Sequence, residues 1–182
     1  MTRWMQTVAG GLVLGVGLTA SAQMSGTPTK KPLASPPAVA ETTLDGKKIT
    51  IHYNTPSKRG REIFGGLVPY DHWWRTGANP ATSFVTEAPL KVGDLDVPAG
   101  SYTLYTLPEQ GKPWMLILNK QTGQWGTVYK PEMDLGRTPM KGAMLPASQE
   151  VMSISFENVH GKHATLHVKW DTTDESAPVE LK

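Results

Sequence analysis

From Ala38 to Trp170 apolar residues recur mostly at every second position, and no window of helical length carries a 3.6-residue repeat. That pattern predicts strands. Val39 to Leu44 and Lys47 to Asn54 flank Asp45-Gly46, a two-residue hairpin signal, with Ile49, Ile51 and Tyr53 on one face and Thr50 and His52 on the other. Further strands are expected at Thr82 to Glu87, Leu90 to Val97 with a break at Gly93, Tyr102 to Leu107, Trp114 to Asn119, Val151 to Asn158 and His163 to Trp170, the last two joined through Gly161. Trp114-Met115-Leu116-Ile117-Leu118 is apolar on both faces and reads as a central strand covered on each side. Leu135 to Lys141 reads as an edge strand, because Pro139 cannot donate to a ladder. The fold class is therefore all-β: an antiparallel two-sheet sandwich, or a distorted barrel, with one irregular insertion.

That insertion is Thr55 to Pro80, where Gly60, Gly65, Gly66 and Gly77 alternate with prolines at 56, 69 and 80. Arg61 to Phe64 and Tyr70 to Arg75 are read as single helical turns, so the insertion is expected to be partly helical. A long irregular segment in a compact domain is either functional or packed as a lid.

Residues 1–22 read as a secretory signal peptide: Arg3, an apolar run from Val8 to Leu18, then Ala20-Ser21-Ala22 as a small-x-small cleavage site. The run is too short to span a bilayer, so the mature protein is expected to carry no transmembrane segment and to be exported, to a periplasm or beyond, after cleavage near Ala22. Residues 23–37, rich in Ser, Thr, Lys and Pro, read as a flexible tether, and residues 38–182 as a single sandwich domain of roughly 145 residues. The chain holds no cysteine, so its core is not stapled by disulfides. A formal charge of +2 gives no electrostatic case for nucleic acid, and Lys58-Arg59-Gly60-Arg61 is read as a solvated turn.

The absence of cysteine also excludes thiol catalysis and thiolate zinc sites, and no G-x-S-x-G, H-E-x-x-H, P-loop or EF-hand pattern occurs. His163 and His167 share a strand face but lie about 13 Å apart along it, too far for one zinc ion. With His160 they are read as solvent-facing, although His160 and His163 can meet across their turn. Met133, Met140, Met144 and Met152 raise the thought of copper but are read as packing. Asp94-x-Asp96 and the acidic run Asp171 to Glu175 lack the ligand set of a calcium loop and are read as a turn and a frayed end. No metal and no cofactor is expected.

The runs "GREIFGGLVPY", "WRTGAN", "VPAGSYTLYTLP", "WMLILNK", "QWG" and "ISFE", in this order, resemble the bacterial domain-of-unknown-function family numbered 2911. The resemblance spans Ala38 to Trp170 and implies one exported domain; it carries over no catalytic residue. Trp74 to Asn79 matches the family pattern, whereas Trp73 is less typical of it.

Within Trp73-Trp74-Arg75-Thr76-Gly77-Ala78-Asn79, neighbouring side chains point apart, so the two indoles cannot fill one pocket. Trp74 is the core candidate, and Arg75 is expected to pair with Asp71, Glu62 or a carboxylate of another strand, making the two residues a structural anchor. Gly77 is expected at a positive φ and Asn79, before Pro80, in an extended conformation. A second reading gathers Tyr70, His72, Trp73, Arg75 and Asn79 around a concave ligand site, with an indole face for a sugar and a guanidinium for an anion. The chain is thus read as an exported, non-enzymatic binding or structural module of the bacterial envelope, with an envelope glycan or a protein as partner and its oligomeric state open. The alternative is a hydrolase or lyase acting on an envelope polymer near His72 and Arg75.

Overall fold

The computed structural model describes Met1 and residues 33–182; the signal-peptide reading and most of the tether fall outside these residues. Among the described residues ten strands form two antiparallel sheets. They are β1 (Pro37–Leu44), β2 (Lys47–Asn54), β3 (Thr82–Thr86), β4 (Leu90–Val92), β5 (Leu95–Val97), β6 (Gly100–Leu107), β7 (Met115–Asn119), β8 (Asp134–Pro139), β9 (Lys141–His160) and β10 (His163–Leu181). The first sheet runs β1-β2-β3-β6-β7-β8 and the second β5-β4-β10-β9. The sheets do not close into a barrel, so the fold is a two-sheet sandwich.

The β1–β2 hairpin turns at Asp45 (φ 43°) and Gly46 (φ 79°), the double left-handed turn that Asp-Gly favours. Facing side chains make the core: Leu44, Ile49, Ile51, Phe84, Leu104, Leu116 and Leu118 from the first sheet meet Leu90, Val92, Met152, Leu166, Val168 and Trp170 from the second. β7 lies between β6 and β8 and is covered twice, because Ile117 and its cross-strand partner Tyr105 are buried on the face away from the core. The segment after β7 covers that face, with Tyr105 Oη donating to the Val128 carbonyl and Gln124 Nε2 to Tyr105 Oη. β8 is the edge strand, and Pro139 ends it.

Three expectations are corrected. The insertion is irregular but carries no helix: after Arg61–Phe64 the Leu67 and Val68 N–H groups donate five residues back, to Glu62 and Ile63, Asp71 (φ 57°) breaks the second predicted turn, and the only helical turn among the described residues is the 3-10 turn Pro131–Met133. The β9–β10 hairpin is far longer than expected, and the acidic run from Asp171 to Glu175 is not a frayed end but lies inside β10, paired to β9 through Glu175 and Gly142. His167 is not solvent-facing: its side chain is 13% exposed and Nδ1 lies 2.8 Å from Asp174 Oδ1. Register shifts on both sides of Asp171 (φ 52°) bend β10, which brings residues 167 and 174 of one strand together.

Candidate functional site

The insertion bridges the two sheets. Ser57 pairs with Val151, Met152 N–H donates to the Pro56 carbonyl and Lys58 Nζ meets Asp171 at 2.6 Å, which fastens one end to β9 and β10. The other end exchanges two backbone hydrogen bonds between Trp74 and Thr106 of β6, at 2.7 and 2.9 Å. Phe64 sits edge-on among Trp74, Trp114 and Trp170, with ring centroids 6.0, 4.7 and 6.2 Å away, and Trp74 stacks on Trp170 at 5.9 Å. Such pairs add about 0.5–1.5 kcal/mol each beyond burial. The Lys58 cluster is thus not merely a solvated turn: its first lysine ties the insertion down.

Each residue of the tryptophan motif has a distinct place. Trp74 is buried, while Trp73 is half-buried on the opposite side, where it packs against Tyr105 (5.6 Å) and Tyr129 (5.0 Å). His72 is exposed beside Trp73. The left-handed residues are Thr76 (φ 52°) and Asn79 (φ 61°), not Gly77. Gly77 is required by close approach instead: a Cβ there would stand 3.0 Å from Thr82 Oγ1 and 3.1 Å from the Asn54 carbonyl. Asn79 is therefore not extended; its left-handed turn aims its carbonyl at the Gly126 N–H, a bond that joins the insertion to the loop after β7.

Arg75 departs most from expectation. No carboxylate pairs with it among the described residues, and its buried Nε has no hydrogen-bond partner. Burial lowers its pKa. A side chain at Gly126 would collide with the Arg75 stem, so the loop after β7 presses directly on it. Arg75 lines two clefts of about 300 Å³ each, one shared with His72, Trp73 and Thr127, the other with Arg61, Ala78 and Asn79. Tyr70 lines neither. Of the predicted ligand residues, then, one cleft gathers His72, Trp73 and Arg75, its neighbour holds Asn79, and Tyr70 faces elsewhere.

Tyr70 faces a larger cleft, about 1000 Å³, between the insertion, the β6–β7 turn and the base of the β9–β10 hairpin. Trp114, Met140, Thr173 and Glu175 also line it. Glu175 is 6% exposed, and its Oε2 is buried without a hydrogen-bond partner. Its carboxyl lies over Gly142, where a Cβ would stand 2.8 Å from Oε1. Burial, with the nearby Asp174 charge adding to it, pushes the Glu175 pKa up to about 7. Reading the acidic run as a chain end hid this residue, although Ala177, Val179 and Leu181, extended backward at period two, reach it.

The family model described as "Protein of unknown function (DUF2911)" matches residues 35–179. The chain belongs to the DUF2911 family. No curated protein and no solved structure matches it. In this DUF2911 domain no helix among the described residues is long and apolar enough to cross a membrane. His160 and His163 meet across their turn with ring centroids 5.6 Å apart, both exposed, and no group of three metal-ligating side chains forms among the described residues. Met140 and Met152 are core residues, but Met144 is 83% exposed at the rim of the large cleft, so packing does not account for it.

Proposed function

We propose that this DUF2911 protein is an exported, non-enzymatic binding module of the bacterial envelope, engaging its ligand at the clefts beside the insertion. One observation carries the reading: Arg75 and Glu175, bordering clefts on either side of the Phe64 cluster, each hold a buried polar atom without a partner and neither has a counter-charge. Groups of this kind are costly to bury for folding alone, and a ligand that supplies the missing partner offsets that cost. Export is supported by the signal-peptide pattern in residues 1–22. The hydrolase or lyase alternative draws no such support, since His72 is exposed and pairs with no carboxylate among the described residues.

A thermal-unfolding screen of the purified protein against envelope glycans, cell-wall fragments, small anions and small amines tests the reading. A ligand at 100 times its dissociation constant adds about 2.7 kcal/mol to the folded state, a rise of several degrees in Tm. A rise confined to one chemical class, and lost in Arg75→Gln or Glu175→Gln, supports it. No rise with any class overturns it.

A further inference from the structure

We propose that the cleft floored by Glu175 is a site for an organic cation, a primary ammonium or guanidinium group on a short aliphatic chain, with the Glu175 carboxylate as counter-ion and Trp114 and Tyr70 as walls. The inference rests on the binding-module reading and names the ligand class of one of its clefts.

Glu175 lines the cleft with little of its surface exposed, and its Oε2 is buried and lacks a donor. An ammonium or guanidinium supplies donor and charge together, which a neutral hydroxyl does not. Aromatic faces attract cations and thioethers are polarizable, so Tyr70, Trp114, Met140 and Met144 suit the charged head and its methylene stem. At the floor of the cleft an anion would be repelled by the Glu175 carboxylate and by Asp174, its neighbour on β10; Lys112 and Lys141 stand at the rim. A metal ion would find one carboxylate and a threonine in place of a ligand cage.

The other charged groups facing the cleft leave Glu175 unpaired. On the β6–β7 turn Lys112 is drawn to Glu109 at 3.6 Å, and on β9 the Lys141 side chain is exposed; neither forms an ion pair with Glu175. From β10, Asp174 leaves on the opposite face and is engaged by His167 and Lys169. From the insertion the only titratable group is the Tyr70 phenol. Gly142 on β9 leaves the floor open, because any side chain there would strike the carboxylate.

Because burial pushes the Glu175 carboxyl up to about 7, an entering cation displaces its proton. Affinity therefore rises with pH through neutrality, by about tenfold from pH 6 to pH 8, while an alkyl ammonium keeps its own charge. The test is an NMR titration of the purified protein with butylamine and butylguanidine, and with 1-butanol as the neutral match, following the Glu175 carboxyl carbon and the Trp114 indole. Saturable shifts with both cations, about tenfold tighter at pH 8 than at pH 6, and an affinity weaker by tenfold or more in Glu175→Gln with loss of the pH dependence, are expected. Gly142→Ala, which crowds the carboxylate without removing it, is expected to weaken both cations severalfold. Butanol binding as tightly as butylamine, or unchanged affinity in both variants, overturns the inference. If amines fail while small anions still raise Tm through Arg75, the cation site falls and the binding module stands; if no class binds, both fall.

Discussion

Asp174 and Glu175 are successive residues of β10, and they leave the sheet on opposite faces into opposite circumstances. Asp174 meets His167 Nδ1 at 2.8 Å and Lys169 Nζ at 3.7 Å, and Lys169 bonds in turn to Glu157, whose pKa that bond holds below the usual carboxylate range. Glu175, one residue on, faces an open cleft with an orphan oxygen. On the outer face each carboxylate has a cationic or imidazole partner, although His167 Nε2, 3.7 Å from Glu157, is itself buried without a hydrogen bond. On the inner face no cation pairs with Glu175: Lys112 turns to Glu109, and Lys141 forms no ion pair with it. Burial does not separate the two, because both carboxylates are largely covered; partnership does. The same contrast holds for arginine. Arg137 reaches Asp134 at 3.0 Å and Tyr129 Oη at 2.8 Å, and burial together with Asp134 pushes the Tyr129 phenol up to about 12. Arg75 has no such ring of partners.

The largest expected effect comes from pH. Glu175 has a folded pKa raised to about 7 from an ordinary 4.5, so between these values the folded state keeps a proton that the unfolded chain has lost. Stability therefore falls as pH rises through that window, by up to about 3 kcal/mol, and stays at its reduced level above it. Glu157 and Asp171 have the opposite sign: Lys169 and Lys58 hold their pKa values down, so their contribution is lost as pH drops toward and below 4. Urea unfolding should trace a maximum near pH 4.5–5, and Glu175→Gln should flatten only the alkaline limb. An alkaline limb unchanged in the variant would place the falling stability elsewhere and remove the contrast between the faces.

Why Glu175 was invisible in the sequence while the strand around it was half visible has a physical answer. Ala164, Leu166, Val168 and Trp170 put even positions in the core, and continuing that count sends Glu175 to solvent. The register shifts about the left-handed Asp171 reset the phase, so that Ala177, Val179 and Leu181 are the buried positions beyond it. Alternation reads well within a regular strand, which is why β1, β2, β3, β6 and β7 and the Asp45-Gly46 turn were legible. It cannot carry a face assignment across a bulge that no proline or glycine marks. The insertion resisted for a different reason. Its order comes from Phe64 among three tryptophans and from backbone bonds to β6 and β9, all distant in sequence, and local propensity suggested helical turns that tertiary contacts replace. The division of Trp73 from Trp74 was legible from side-chain geometry alone. The missing partner of Arg75 was not, because whether a carboxylate reaches a guanidinium is a fact of packing.

A smaller effect is expected from Asp174→Asn. The change removes the charge that holds His167 and Lys169, at a loss of about 1–2 kcal/mol, read as a lower urea midpoint with unchanged slope. It also removes a repulsion from Glu175, so the Glu175 carboxyl should titrate lower in the variant, seen directly by NMR. A lower midpoint with no movement of Glu175 would mean that the two faces are electrostatically independent, and burial alone would then have to account for the raised pKa.

The smallest expected effect separates anchor from ligand seat at Arg75. Arg137→Gln breaks bonds to Asp134 and Tyr129 on a partly exposed surface and should cost about 1 kcal/mol. Arg75→Gln breaks no bond to a carboxylate and keeps most of the stem that packs under Gly126, so its effect on stability should stay within about 0.5 kcal/mol. The two variants, measured side by side by urea unfolding, turn the motif's two readings into one ordering. If Arg75→Gln proves the costlier, the guanidinium serves the fold by packing and desolvation despite lacking a partner. If it proves the cheaper, while any rise in Tm with a small anion disappears, then Trp74 alone anchors the motif and Arg75 is free to answer a ligand.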